Sequence, residues 1–126
     1  MVNINGATPL NNAAYNGHVK AIQEVLKGLL PEERLAYLNQ ANRNEITPLF
    51  VAAYKGHENV IKELLEGLTK EERLAYLNKA NKNGLSPLSI AIKYKHQNII
   101  TTFQAYGAKD SWYQKFLRFN DSLNAI

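Results

Sequence analysis

The feature that most constrains the fold is a long internal repeat with an offset of 39 residues. Residues 3–41 align with residues 42–80 without a gap, and about 24 of the 39 positions are identical. The octapeptide EERLAYLN occurs unchanged at Glu32–Asn39 and at Glu71–Asn78. A third, more divergent unit begins at Asn81 and lacks the second half of the period. Similarity at a fixed period predicts an array of stacked structural units.

Each unit opens with the signals of a helix start. Thr8, Thr47 and Ser86 each precede a proline and an apolar pattern. A hydroxyl at the N-cap accepts a hydrogen bond from an orphan amide, and proline suits the first helical position because it has no amide to leave unpaired. Leucine and alanine then recur at i, i+3 and i+4, which predicts one buried helical face.

A turn and a second helix are expected after each first helix. Gly17 and Gly56 fit a left-handed turn, whereas Lys95 holds that place in the third unit, where a left-handed backbone would cost about 1 kcal/mol. The second helix is predicted at about 19–27. The residues expected to face inward on the second helices are Ile22, Val25 and Leu26, then Ile61, Leu64 and Leu65, then Ile100 and Phe103.

These units resemble ankyrin repeats. The resemblance is carried by TPLNNAAYNGH at Thr8–His18, TPLFVAAYKGH at Thr47–His57 and SPLSIAIKYKH at Ser86–His96. It extends over about residues 3–110 and implies that the histidine closing each motif helps to hold the turn between helices. Three stacked units are about the minimum for stability, because no single unit can bury its apolar face alone.

The resemblance implies an all-α solenoid of stacked helix-turn-helix units that forms a single domain over 1–126. We assign repeat 1 to 3–41, repeat 2 to 42–80, repeat 3 to 81–110 and a C-terminal capping helix to 111–124. The C-terminal segment places Trp112 and Phe116 on one face of an amphipathic helix. A helix that shields the end of the solenoid is the preferred interpretation, and a membrane-surface anchor is the alternative. At the other end, either Asn11 and Asn12 cap repeat 1 or the chain is a fragment of a longer protein.

The period departs from the usual ankyrin length of about 33 residues. The six extra residues lie in EERLAYLN and predict a short additional helix in repeats 1 and 2. Thr69 and Glu72 form a capping box in the second copy, and Pro31 suits the first position of the helix in the first copy. Leu35 and Leu38 are expected to close the core. The pairs Arg34/Tyr37 and Arg73/Tyr76 stay open between architecture and a second binding surface.

The sequence offers no constellation for catalysis. It contains no cysteine, no glycine-rich phosphate loop and no nucleophile elbow. Neighbouring glutamates on a helix point about 100° apart and cannot face one another across a substrate. His18, His57 and His96 recur with the repeat, and helices stacked about 8–10 Å apart keep them from sharing one metal. We therefore predict no enzyme activity, no cofactor and no metal site.

The charge balance limits the class of partner. A formal net charge of +4 permits an acidic partner, and lysine outnumbers arginine, which weakens a nucleic-acid interpretation. No run of 18 apolar residues predicts a membrane span, and the first residues lack the apolar core of a secretory signal. We expect a monomeric, cytoplasmic protein with no small-molecule substrate.

The resemblance implies that the protein binds another protein through the concave surface of loops and first helices. Because that surface carries one arginine and three lysines, our hypothesis is that the partner contributes an acidic segment. Packing of Tyr15 on Tyr54 between repeats is the structural alternative. A scaffold or targeting domain within a larger protein is the alternative function, and a bacterial effector delivered to a host cytosol is one form of it. The predicted partner-binding residues are Ile4, Asn5, Tyr15, Asn16, Arg43, Asn44, Ile46, Phe50, Tyr54, Lys55, Lys82, Asn83, Leu85, Lys93 and Tyr94. Asn11 and Ser89 are further candidates.

Overall fold

The helices follow the 39-residue period throughout the part of the chain that the structure describes. The structure is a computed structural model, and it describes residues 8–108. Those residues form eight helices and no strand. The helices are α1 Pro9–Tyr15, α2 Val19–Lys27, α3 Pro31–Leu38, α4 Pro48–Lys55, α5 Glu58–Leu65, α6 Lys70–Leu77, α7 Pro87–Lys93 and α8 Gln97–Ala105.

The predicted starts of the first helices are confirmed. The Oγ1 atom of Thr8 accepts a hydrogen bond from the Asn11 amide at 3.0 Å, and a proline occupies the first turn. Thr47 and Ser86 cap α4 and α7 in the same way. Each cap satisfies an amide that would otherwise lack a partner, so one local rule sets the beginning of all three first helices.

The turns between first and second helices have the predicted left-handed backbone. The φ angle is 70° at Gly17, 76° at Gly56 and 62° at Lys95. A Cβ atom at Gly17 would lie 3.0 Å from the ring of His57, and one at Gly56 would lie 2.9 Å from the ring of His96. Glycine therefore serves two purposes in the first two turns, a left-handed conformation and close approach of the next repeat.

The helices stack in two layers. In the first layer α1 packs on α4 and α4 packs on α7, and in the second layer α2 packs on α5. Leu49, Ala52 and Ala53 are completely buried in α4, where small alanine side chains let the neighbouring first helices approach closely. Ile61 and Leu64 fill the core from α5. The all-α solenoid predicted from the sequence is confirmed.

One predicted core residue is wrong. Val25 was expected to face inward, but its side chain is 38% exposed, whereas its counterpart Leu64 is fully buried. Val25 holds the position in α2 that Leu64 holds in α5, and α5 packs on α2 of the preceding repeat. The described residues place nothing over that face in repeat 1, so the same helical position loses its cover.

The additional helices predicted in the insertions are α3 and α6. Pro31 occupies the first turn of α3, and the Glu33 carboxylate accepts a hydrogen bond from the Leu30 amide. At α6 the Thr69–Glu72 capping box forms with both of its hydrogen bonds. Leu38 is completely buried and Leu35 packs against the core, as expected.

Asn11 does not cap the open side of repeat 1. Its side chain is 4% exposed, and its Nδ2 atom donates to the Ile46 carbonyl of the next repeat at 3.0 Å. The capping helix predicted at 111–124 lies outside the described residues. Within 8–108 no helix is longer than nine residues, and none is both long and apolar enough to cross a membrane.

Candidate functional site

Asparagine side chains fix the loops that lead into α4 and α7. The Oδ1 atom of Asn42 accepts hydrogen bonds from the amides of Asn44 and Ile46 at 2.8 and 3.1 Å. Asn81 does the same for Asn83 and Leu85. Asparagine commonly organises turns through such side-chain bonds. The sequence predictions missed this role, although the recurrence of asparagine at positions 3, 42 and 81 was its signal.

The two loops present exposed polar side chains at their tips. Arg43, Asn44, Lys82 and Asn83 are all exposed. The amide of Lys82 donates to the Asn44 carbonyl at 3.0 Å, which ties the two loops to each other. The predicted loop residues are therefore held side by side on fixed backbone. Glu45, with a φ of 61°, is the exposed acidic residue beside them.

Exposed tyrosines mark the last turns of the first helices. Tyr15 is 49% exposed, Tyr54 is 38% exposed and Tyr94, just beyond the end of α7, is 44% exposed. The rings of Tyr54 and Tyr94 are tilted against each other with their centroids 4.8 Å apart. The predicted alternative paired Tyr15 with Tyr54, but the aromatic contact joins Tyr54 to Tyr94.

Lysine side chains extend over these rings. The Nζ atom of Lys55 lies 4.8 Å from the centroid of the Tyr15 ring, and that of Lys93 lies 5.9 Å from the centroid of the Tyr94 ring. An ammonium over an aromatic face is attracted by the ring quadrupole and keeps its hydrogen-bond donors free for another group. The arrangement therefore combines flat aromatic area with positive charge.

The phenol of Tyr94 also affects the ionisation of Tyr54. A hydrogen bond with Tyr94, reinforced by the electrostatic effect of the same phenol, raises the pKa of Tyr54 above its ordinary value.

Several predicted site residues support this surface without belonging to its exposed part. Phe50 is 7% exposed and lies in the core, so little of its ring is available to a partner. Asn11 and Ser89 are buried as well. Ile46 and Leu85 are partly buried against the core, and Asn16 is exposed. Ile4 and Asn5 lie outside the described residues. We give the name tyrosine–lysine surface to Tyr15, Arg43, Asn44, Tyr54, Lys55, Lys82, Asn83, Lys93 and Tyr94.

Two of the histidines that follow the turns between helices also form hydrogen bonds to the preceding repeat. The Nε2 atom of His57 is 3.0 Å from the Tyr15 carbonyl of the preceding repeat, and that of His96 is 2.9 Å from the Tyr54 carbonyl. Each histidine thus fixes the helix end that carries an exposed tyrosine. No group of three residues able to hold a metal is found in 8–108.

The tyrosine of the second octapeptide, Tyr76, is buried, which rules out a polar ladder built from both copies. Tyr76 is 1% exposed, and its hydroxyl accepts a hydrogen bond from the Leu49 amide at 3.3 Å. Arg34 donates to the carbonyls of Glu63 and Glu66 at the end of α5. These carbonyls at the helix C-terminus have no partner within the helix, so Arg34 links repeat 1 to repeat 2.

Arg73 reaches forward in a different way. Its guanidinium lies 4.6 Å from the centroid of the Tyr106 ring, and one of its nitrogens donates to the Leu68 carbonyl. Tyr106 in repeat 3 holds the position that Gly67 holds in repeat 2. An aromatic ring therefore lies at the end of α8, whereas glycine leaves the end of α5 open. Both arginines are therefore explained by contacts that hold repeats together.

Stacked helical pairs with a continuous surface of loops and first helices define a solenoid repeat protein. A family model for ankyrin repeats, in three copies, matches residues 12–111 of this chain. The chain belongs to the ankyrin repeat family. No curated protein matches it. Ankyrin repeats are generally protein–protein interaction modules, and the family is typically non-enzymatic.

Proposed function

We propose that this protein acts by binding rather than by catalysis, and that its tyrosine–lysine surface binds an acidic segment of another protein. The observation that carries the proposal is the run of three partly exposed tyrosines, Tyr15, Tyr54 and Tyr94, with lysine over the rings of Tyr15 and Tyr94. Tyrosine supplies rigid contact area with little loss of side-chain entropy, and it is enriched among the residues that dominate binding energy.

Charge supports an acidic partner. The described part of the surface carries Arg43, Lys55, Lys82 and Lys93, and Glu45 is the exposed acidic residue next to them. Positive charge on a binding face accelerates association with a negatively charged partner and makes the rate depend on salt. A monomeric state and a cytoplasmic location remain predictions.

Preorganisation supports the same surface. The loops are tied by the bond between Lys82 and Asn44, and the helix ends are tied by His57 and His96. A surface whose side chains stand on fixed backbone loses less conformational entropy when it binds. The surface that the ankyrin family implies for partner binding therefore also stands on a locally rigid backbone.

The test uses charge reversal on two faces of the same chain. A fluorescent peptide of alternating glutamate and tyrosine serves as the probe, and anisotropy measures its affinity at low salt. We expect Lys55→Glu/Lys93→Glu to weaken binding about tenfold or more, equivalent to about 1.4 kcal/mol. Lys20→Glu/Lys70→Glu changes the net charge equally at exposed helix starts elsewhere and should leave the affinity within about twofold.

Tyr54→Ala separates the aromatic contribution from the charge. We expect it to weaken the probe at all salt concentrations, because it removes contact area and not a charge. Equal loss of affinity in both double variants would show that the probe responds to net charge alone, and the proposed surface would then be wrong.

A further inference from the structure

The two inserted helices enclose a second surface that the ankyrin pattern does not account for. A groove of about 390 Å³ lies between α3 and α6. It is lined by Pro31, Glu32, Leu35, Ala36 and Asn39 from repeat 1 and by Glu72 from repeat 2. Proline, leucine and alanine give the groove an apolar floor, and the glutamates stand at its edges.

The charge around the groove is negative because the cations of the octapeptide point away. Arg34 is engaged with carbonyls at the end of α5, and Arg73 lies over the ring of Tyr106. Glu32 and Glu71 are exposed and make no hydrogen bond or ion pair with another described residue. The two copies contribute four glutamates, Glu32, Glu33, Glu71 and Glu72, and Lys70 precedes the second pair.

Only some of these glutamates are needed for the folding of α3 and α6. Glu33 and Glu72 accept the backbone hydrogen bonds that begin the two helices. Glu32 and Glu71, in the first turns of α3 and α6, interact favourably with the helix dipoles. Their carboxylates nevertheless stay free for another group.

We propose that this groove binds a basic segment of a protein partner, which inserts an apolar side chain between α3 and α6 and places lysine or arginine beside Glu32, which lines the groove, and Glu71, which precedes the lining residue Glu72. Charge complementarity selects the occupant, and the apolar floor supplies the anchor. The carboxylates of Glu32 and Glu72 in the lining repel the phosphates of a nucleic acid. The protein would then present two binding faces of opposite charge, the groove and the tyrosine–lysine surface.

The experiment uses a labelled 12-residue amphipathic peptide of leucine and lysine as the probe, with fluorescence anisotropy at low salt as the readout. We expect binding to the wild-type chain and none of a matched peptide with every lysine replaced by glutamate. Glu32→Lys/Glu71→Lys should weaken binding of the probe about tenfold or more. Glu24→Lys/Glu66→Lys changes the net charge equally at exposed positions outside the groove and should have less than about a twofold effect.

The apolar part of the proposal has its own variant. Ala36 is exposed on the groove floor, so Ala36→Gln fills the groove without changing charge or removing a core contact. We expect it to weaken the probe at least fivefold while the helical circular dichroism stays unchanged. Equal effects of the two charge variants, or no effect of Ala36→Gln, would overturn the proposal.

A second copy of the chain is the competing occupant, because its tyrosine–lysine surface is basic. Sedimentation velocity across a concentration series distinguishes the two. We expect the chain alone to sediment at a concentration-independent rate. Self-association abolished both by Glu32→Lys/Glu71→Lys and by Lys55→Glu/Lys93→Glu would show that another copy fills the groove, and the proposed partner would be wrong.

Discussion

Repeat 1 and repeat 2 are nearly the same in sequence and differ in what covers them. Tyr37 and Tyr76 occupy the same position of the same octapeptide, yet the first is 39% exposed and the second is 1% exposed. Val25 and Leu64 differ in the same direction, at 38% and 0%. At these two positions burial follows the place of the repeat in the stack, because repeat 2 packs on repeat 1 and no described helix pair precedes repeat 1.

The largest expected effect comes from the apolar pair. Leu64→Ala should lower the free energy of unfolding by about 2–5 kcal/mol, since it leaves a cavity where a fully buried side chain lay. Val25→Ala should change it by less than about 1 kcal/mol, because the side chain is partly exposed and alanine favours the helix. Urea unfolding followed by circular dichroism measures both. Similar losses in the two variants would mean that the face of repeat 1 is covered in solution.

A smaller effect, which depends on pH, is expected for the free energy of unfolding from the pair Tyr37 and Tyr76. Burial raises the pKa of Tyr76 far above its ordinary value, outweighing the hydrogen bonds from the Leu49 amide and the Thr47 side chain. Because the folded state disfavours the phenolate, stability from this group is complete below about pH 10 and declines as the pH rises beyond the pKa of an unfolded tyrosine.

Alkaline unfolding tests this directly. We expect Tyr76→Phe to reduce the loss of stability above pH 10 by up to about 1.4 kcal/mol per pH unit. The matched variant Tyr37→Phe should leave the alkaline profile as it is in the wild-type chain. The interpretation fails if both variants alter the profile equally, or if neither does.

The histidine pair gives the smallest difference. His57→Ala removes the bond to the Tyr15 carbonyl and should lower the free energy of unfolding by about 0.5–1.5 kcal/mol. His18 makes no side-chain hydrogen bond with another described residue, so His18→Ala should be close to neutral. Thermal unfolding of the two variants at one pH measures the difference. A larger loss at His18 would reverse the proposed direction of the contact.

The sequence was sufficient for the elements that depend on local chemistry. Threonine or serine before proline set the starts of α1, α4 and α7, and Thr69 with Glu72 set the start of α6. Glycine spacing gave the left-handed turns. Each of these rules acts over three or four residues, and the repeated pattern confirmed it more than once.

The sequence was insufficient where a neighbour decides the outcome. A helical period predicts that Val25 lies on an apolar face, but it does not tell whether another repeat covers that face. The same limit applies to Phe50: the helix that carries it was predicted correctly, but its ring lies in the core and not on the binding surface. It applies also to Tyr76, for which the sequence did not decide between a structural role and a second binding surface. The tyrosine–lysine surface follows from residue type and repeat position, whereas the contact between Tyr54 and Tyr94 depends on packing across two repeats.

The histidine contacts also have a direction along the chain. His57 and His96 each reach back to a carbonyl of the repeat that precedes them, so every bond of this kind joins a later residue to an earlier one. During synthesis the amino-terminal repeat leaves the ribosome first. The backbone carbonyl that accepts the bond is therefore synthesised before the histidine that donates to it. Because a single repeat cannot bury its apolar face alone, we expect repeat 1 to become ordered only when the later repeats have emerged and His57 can reach the Tyr15 carbonyl.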